Sequence, residues 1–173
     1  MKKTFLTGLA ALLINCETNT FPALQTPSEQ VSPQESVYRS IKIEGPEEYK
    51  QNIVQALEMI YAKDPRNWYV VRRNINLIRL HPPSGMNVDA GIYNTDDNKS
   101  TPWKYQPLEW VAGEIVHDAW HREYYRRDET YDGREGERKC MERQNEFFSK
   151  VGYPPLNIET YLQTRYWEIK RNW

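Results

Sequence analysis

A chain of 173 residues suits one folded domain with tails, and is long enough to bury a core without covalent staples. Its formal charge is −1, with 23 Lys and Arg against 24 Asp and Glu, so no net field draws it to nucleic acid or to an acidic membrane. Twelve Tyr and six Trp against four Phe suit amphipathic surfaces and groove walls more than a purely aliphatic core.

Residues 1–16, MKKTFLTGLAALLINC, carry two lysines, an apolar or small run from Phe5 to Ile14, and then Cys16. That is the layout of a secretory signal, and the run is shorter than the roughly 20 residues of a membrane span. LINC resembles the lipobox of bacterial lipoproteins. The resemblance implies lipidation of Cys16 and an exported chain, held at the membrane or free in the periplasm or outside. Asn15 departs from the Gly, Ala or Ser preferred there, and a buried N-terminal helix is the alternative. Residues 17–36 are rich in Ser, Thr, Pro, Gln and Glu without periodicity, as expected of a flexible tether. Lipidation of Cys16 would leave Cys140 as the only other cysteine, and so no disulfide.

The folded domain is expected over residues 37–173. Val37 to Ile43 alternates apolar and polar residues, the period of a half-buried strand, and Gly45 ends it. Pro46, Glu47 and Glu48 open an amphipathic helix in which Tyr49, Ile53, Ala56, Leu57, Ile60 and Tyr61 recur three and four apart, closing before Asp64-Pro65. WYVV (68–71) and NLIRL (76–80) read as β segments closed by His81-Pro82-Pro83 and Ser84-Gly85. His81 reads as a turn residue, with a ligand or pocket role as the alternative. AGIYN (90–94) is a further short strand before a polar loop from Thr95 to Thr101. A second helix spans Pro107 to Arg127, Asp132-Gly133 breaks it, and a third runs from Glu135 to Val151, stopped by Gly152 and Pro154-Pro155. Asn157 caps a last helix toward Trp167. The fold class is therefore α+β, with a small sheet and a backing helix.

His117 and His121 stand four apart on the second helix. They lie about 40° from each other on one face, with Cβ atoms roughly 5–6 Å apart, which suits a bidentate metal clamp. The zinc hydrolase pattern HExxH has the same two histidines with a glutamate general base after the first; Asp118 holds that place here. A catalytic zinc needs a third protein ligand. Glu137 follows His121 by sixteen residues, about 24 Å along a continuous helix, but the Asp132-Gly133 break lets an antiparallel helix return it to the histidines. On that helix Cys140, Met141, Gln144, Phe147, Phe148 and Val151 form the apolar face, with Glu137 and Gln144 in the middle of the arc and Glu135, Glu142 and Glu146 opposite. A carboxylate in an apolar stripe needs a partner. A metal ion satisfies it, as an arginine would.

IVHDAWH followed by ERKCMERQNEFFSKVG resembles the active-site region of zincin-type metallopeptidases with a glutamate ligand, the gluzincins, over Ile115 to Gly152. Small members pair a histidine helix with a helix of the form ExxAxxxQxxFLxxLG, matched here by Glu137, Cys140 at the small position, Gln144 and the FFSKVG ending. The resemblance implies a compact zincin-like domain, Zn2+ held by His117, His121 and Glu137, and Asp118 as the water-activating carboxylate. It further implies peptidase or amidase chemistry on a peptide or cell-envelope substrate. Asp118 departs from the pattern. It is one methylene shorter than Glu, about 1.5 Å, and a misplacement near 1 Å can cost on the order of 100-fold in rate. Tyr124, Tyr125 and Tyr131 are candidates for a transition-state stabiliser or pocket wall by nearness in sequence, with amphipathic packing as their alternative. Two rival readings stand beside this one. The first is a metal-binding, non-hydrolytic protein that holds a peptide or cell-wall ligand. The second is a metal-free lipoprotein adaptor that meets a partner through the aromatic ending YWEIKRNW. A monomer, no nucleic acid, and membrane contact only through the lipid anchor complete the expectations.

Overall fold

The computed structural model of the chain describes residues 35–96 and 106–164, all within Val31–Trp173, one of the two units into which the chain divides. The signal-like segment with Cys16, residues 17–34 of the expected tether, most of the Thr95–Thr101 loop and the ending YWEIKRNW lie outside the described residues. The elements in chain order are β1 (Glu35–Tyr38), β2 (Ile41–Glu44), α1 (Glu47–Lys63), α2 (Pro65–Asn74), β3 (Leu77–Leu80), β4 (Gly85–Asn87), β5 (Ile92–Thr95), α3 (Leu108–Arg126), α4 (Gly133–Val151) and α5 (Ile158–Gln163). The fold is α+β, as expected. Among the described residues no helix is long and apolar enough to cross a membrane.

The strands form one mixed sheet in the order β1-β2-β3-β5-β4, parallel across β2, β3 and β5, with an antiparallel strand at each edge. Its register places Ile43, Ile78, Tyr93 and Met86 in one row. Strand side chains alternate faces, so this row lies on the same side as Ile41, and both isoleucines of β2 are fully buried while Lys42 between them is exposed. The row packs into one core with Ile53, Leu57 and Ile60 of α1, Val71 of α2, and Ile115, Val116 and Ala119 of α3.

Three local expectations are overturned. The alternation over Val37 to Ile43 folds as a hairpin, β1 turning into β2 through Arg39 and Ser40, both with positive φ, 47° and 78°. Neither is the Gly or Asn that marks such turns. Arg39 is held from the side, its guanidinium 3.9 Å from the Tyr61 ring centroid and donating to the Tyr38 hydroxyl at 3.1 Å. WYVV is helical rather than extended. Asp64 caps α2 by accepting from the Asn67 backbone N–H at 3.2 Å, Pro65 occupies the first turn, and Trp68, Val70 and Val71 are buried. A strong N-cap and tertiary burial outweigh the β preference of aromatic and β-branched residues. Gly85, read as a terminator, instead opens the short strand β4.

The turn from β4 to β5 is tied to α3. Gly91 has φ +70°, and a Cβ there would stand 1.7 Å from Arg122 Nη1 and 2.8 Å from Asn76 Nδ2. Arg122 reaches over it to donate to the carbonyls of Asn74 at 2.7 Å and Asp89 at 3.2 Å. Gly91→Ala is therefore expected to cost about 2 kcal/mol or more, from backbone strain plus displacement of the arginine. A urea midpoint unchanged within error would refute this reading.

Candidate metal centre

Helix α3 is buried along most of its length because α1, α2, α4 and β4 all pack against it. Helix α4 runs back along it. Phe148, late in α4, stacks on Trp110 early in α3 at 6.0 Å between centroids, while Glu137, early in α4, meets the histidines late in α3. The helices approach closely at Gly113, where a Cβ would lie 2.2 Å from Phe148 Cε1 and 3.2 Å from Gln144 Nε2. The apolar face of α4 buries Cys140, Met141, Gln144, Phe147 and Phe148, and carries Glu137 inward with them.

The return brings three donor atoms together. His117 Nε2 lies 3.0 Å from His121 Nε2 and 3.2 Å from Glu137 Oε2, and His121 Nε2 lies 3.6 Å from Glu137 Oε1. All three residues are buried, at 6, 8 and 4 % exposure, and together they form a group that could hold a metal ion. Zinc bonds of about 2.0–2.1 Å at the tetrahedral angle separate donor atoms by about 3.3–3.4 Å, so the observed separations bracket what one ion would set. Two imidazoles and one carboxylate also leave a fourth position for water. The set fits a first-row divalent ion and does not by itself select among them.

Without a cation the cluster must hold a proton, because two imidazole lone pairs facing each other at hydrogen-bond distance repel. Burial works against a charged His121, yet contact with Cys140 and Glu137 raises its pKa well above 6.5. Burial also works against a charged Glu137, and the hydrogen bonds from the two histidines outweigh it, holding the carboxyl well below its usual range. His121 is oriented by the backbone: its Nδ1 faces the Tyr131 carbonyl oxygen at 2.5 Å, which directs Nε2 to the cluster. Such outer partners fix the tautomer of metal-binding histidines. His117 Nδ1 is buried and has no such partner among the described residues.

Asp118 lies about 100° around α3 from His117, is 5 % exposed, and forms no hydrogen bond or ion pair among the described residues. Sequence reasoning missed its neighbour Tyr93. This residue is fixed on the inner row of the sheet, and its phenol is pushed well above 10 by burial and by the nearby carboxylates of Glu114 and Asp118. Tyr93 therefore stays protonated, with Ser84 as the hydrogen-bond neighbour of its side chain. Its only sequence signal is a bulky residue at the centre of IYN.

The other candidates are engaged elsewhere. Tyr124 packs on Trp120 at 5.2 Å and its hydroxyl accepts from Arg143 Nε at 3.2 Å. Tyr125 is half-exposed and donates to Asp89 Oδ1 at 2.6 Å. Tyr131 serves the cluster through its carbonyl, and its ring meets Tyr125. His81 is an exposed residue whose backbone N–H bonds to the Thr95 carbonyl at 2.8 Å, apart from the cluster.

Comparison with known proteins finds no matching family model, no matching curated protein and no matching solved structure. What the site can do therefore rests on its own geometry.

Proposed function

We propose that the chain is a zinc-dependent hydrolase of zincin-like, gluzincin type, a peptidase or amidase acting outside the cytoplasm on a peptide or cell-envelope substrate. The observation that carries this reading is the convergence of His117, His121 and Glu137 at 3.0–3.6 Å in a buried, two-helix setting. Zn2+ held there would supply Lewis acidity toward a scissile carbonyl and an activated water. Asp118, next to the first ligand, would take the water's proton and pass it to the leaving amine. Strand β4, an edge strand among the described residues and packed against α3, is the kind of element to which an extended peptide adds by main-chain hydrogen bonds. Export, and lipidation at Cys16, belong to the same proposal and rest on residues 1–16.

Zinc stoichiometry tests the reading directly, on the parent beside His117→Ala and Glu137→Ala. One tightly held zinc per parent chain, lost in both variants, is expected. A parent that holds none under non-chelating conditions ends the proposal. The short side chain of Asp118 favours a second reading, in which the metal is held but hydrolysis is lost and the protein binds a peptide or cell-wall ligand. Peptide hydrolysis by the zinc-loaded protein separates the two.

A further inference from the structure

The face of α3 that carries His117 and His121 continues toward the start of the helix through Glu114 and Trp110. The four residues fall within about 60° of one another around the axis, and Glu114 and Trp110 precede His117 by about 4.5 and 10.5 Å along it. A carboxylate and an indole therefore stand about one and two turns from the metal ligands. Trp110 is the centre of an aromatic group. Phe148 stacks on it, Tyr153 meets it at 6.3 Å and 61°, and Tyr161 of α5 lies at 6.5 Å and 34°. Phe148 is fully buried, whereas Trp110, Glu114, Tyr153 and Tyr161 are half-buried, so the group keeps a face toward solvent. Glu114 is close enough to act on it: burial first, and then the Glu114 carboxylate, push the Tyr161 phenol up. Tyr93 of the sheet responds in the same way, so the charge is felt from both β5 and α5.

Elsewhere the chain caps aromatic rings with its own cations. Arg39 lies 3.9 Å from the Tyr61 centroid, Arg143 4.8 Å from that of Trp120, and Lys139 5.5 Å from that of Tyr124. Among the described residues no Lys or Arg lies over Trp110 or Tyr153. We propose that Glu114, Trp110, Tyr153 and Tyr161 form a subsite for a primary alkylammonium group, the lysine-like side chain of a peptide whose scissile carbonyl lies at the metal centre. The placing of that peptide rests on the hydrolase reading above, while the subsite is built from side chains of its own. Aromatic faces attract a cation through their quadrupole, and a carboxylate beside them accepts its N–H groups in charge-assisted hydrogen bonds. Glu114 and Tyr161 also engage other neighbours. A carboxylate accepts from about four directions, so the ammonium adds to those contacts. Distance selects the side chain over the chain terminus. A lysine nitrogen reaches about 6 Å from its Cα, whereas an α-amine lies about 2.5 Å from its own carbonyl carbon and would stay beside the ligands.

Calorimetric titration of the full chain, with zinc and with chelator, tests the subsite. The probes are acetyl-alanyl-lysyl-alanine amide and its norleucine and Nε-acetyl-lysine counterparts. With chelator no turnover intervenes, and the readout is binding alone. The lysine peptide is expected to bind the parent about tenfold more tightly than either counterpart, the low end of what a hydrogen bond to a charged group supplies. Glu114→Gln, which keeps the shape of the side chain, is expected to abolish the preference, and Tyr161→Leu to reduce it by about threefold. Equal affinity for the three peptides, no measurable affinity for the lysine peptide, or a preference that Glu114→Gln retains overturns the subsite. Freeing the peptide's N-terminus is expected to add nothing, and affinity that follows this α-amine instead of the side chain also overturns it. A parallel zinc titration keeps the two readings apart. A parent that holds no zinc yet prefers lysine through Glu114 keeps the subsite and loses the hydrolase; one that holds zinc without the preference does the reverse.

Discussion

Free zinc at 1,000 times its dissociation constant is expected to add about 4.1 kcal/mol to the unfolding free energy, and His117→Ala, His121→Ala and Glu137→Ala are each expected to abolish most of that gain. The ligands come from two helices joined by a turn, so the unfolded chain offers no preformed site and binding energy becomes folding energy. The effect should also depend on pH in a definite direction. In the metal-free protein His121 has a raised pKa, so its contribution is complete below its unfolded value near 6.5 and is lost as pH rises through the folded value. Glu137 has a depressed pKa, so its contribution is complete above its unfolded value near 4.5 and is lost as pH falls through the folded one. The pair is therefore at full strength between about pH 4.5 and 6.5. Zinc must displace the imidazole proton, so its affinity rises with pH across neutrality, by up to about tenfold per unit for each proton released. Urea midpoints from pH 5 to 9 should show the chelated protein weakening toward the alkaline end while the zinc-loaded protein holds. Equal zinc shifts in the parent and in Glu137→Ala would place the ion elsewhere.

The parts of this centre that were legible in the sequence are those that depend on helical periodicity. His117 and His121 share a face because they are four apart, and Glu137, unlike Glu135, Glu142 and Glu146, falls inside an apolar arc. Both inferences use angles about a single helix axis, which local sequence determines. The turn at Asp132-Gly133 then allowed the antiparallel return. Trp68 to Val71 look extended by composition, whereas Asp64, Pro65 and Asn67 together set the start of helix α2, whose interior is held by the core. The Arg39-Ser40 turn was invisible because its positive φ values are supported from Tyr61 and Tyr38, not by the turn residues' own chemistry. The partner of His121 was out of reach for a different reason: a carbonyl carries no residue-type signal, and Gly136 identifies it only once the two chains are seen to touch. Tyr93 needed the sheet register before it could be placed beside Asp118.

Asp118→Asn is expected to lower kcat/KM of the zinc-loaded protein by about 10²–10⁴-fold, the range of a lost general base, while leaving the zinc dissociation constant within about threefold. The second half follows from the geometry, since the converging donors belong to His117, His121 and Glu137 and not to Asp118. The first half follows from placement. Asp118 is adjacent in sequence to a ligand, almost fully buried, unpartnered among the described residues, and next to a tyrosine that stays protonated. Its place directly after the first histidine is the one that the general base occupies in HExxH. Asp118→Glu moves the carboxylate outward by about 1.5 Å, and a reach that is short by about 1 Å is worth on the order of 100-fold. It is therefore expected to match or exceed the parent, provided that zinc affinity is unchanged. A parent that binds zinc but cleaves nothing, with hydrolysis appearing in Asp118→Glu, would identify a binding protein one methylene away from an enzyme. Indifference of a hydrolysing parent to both substitutions would remove Asp118 from the mechanism and leave proton transfer to another group at the site.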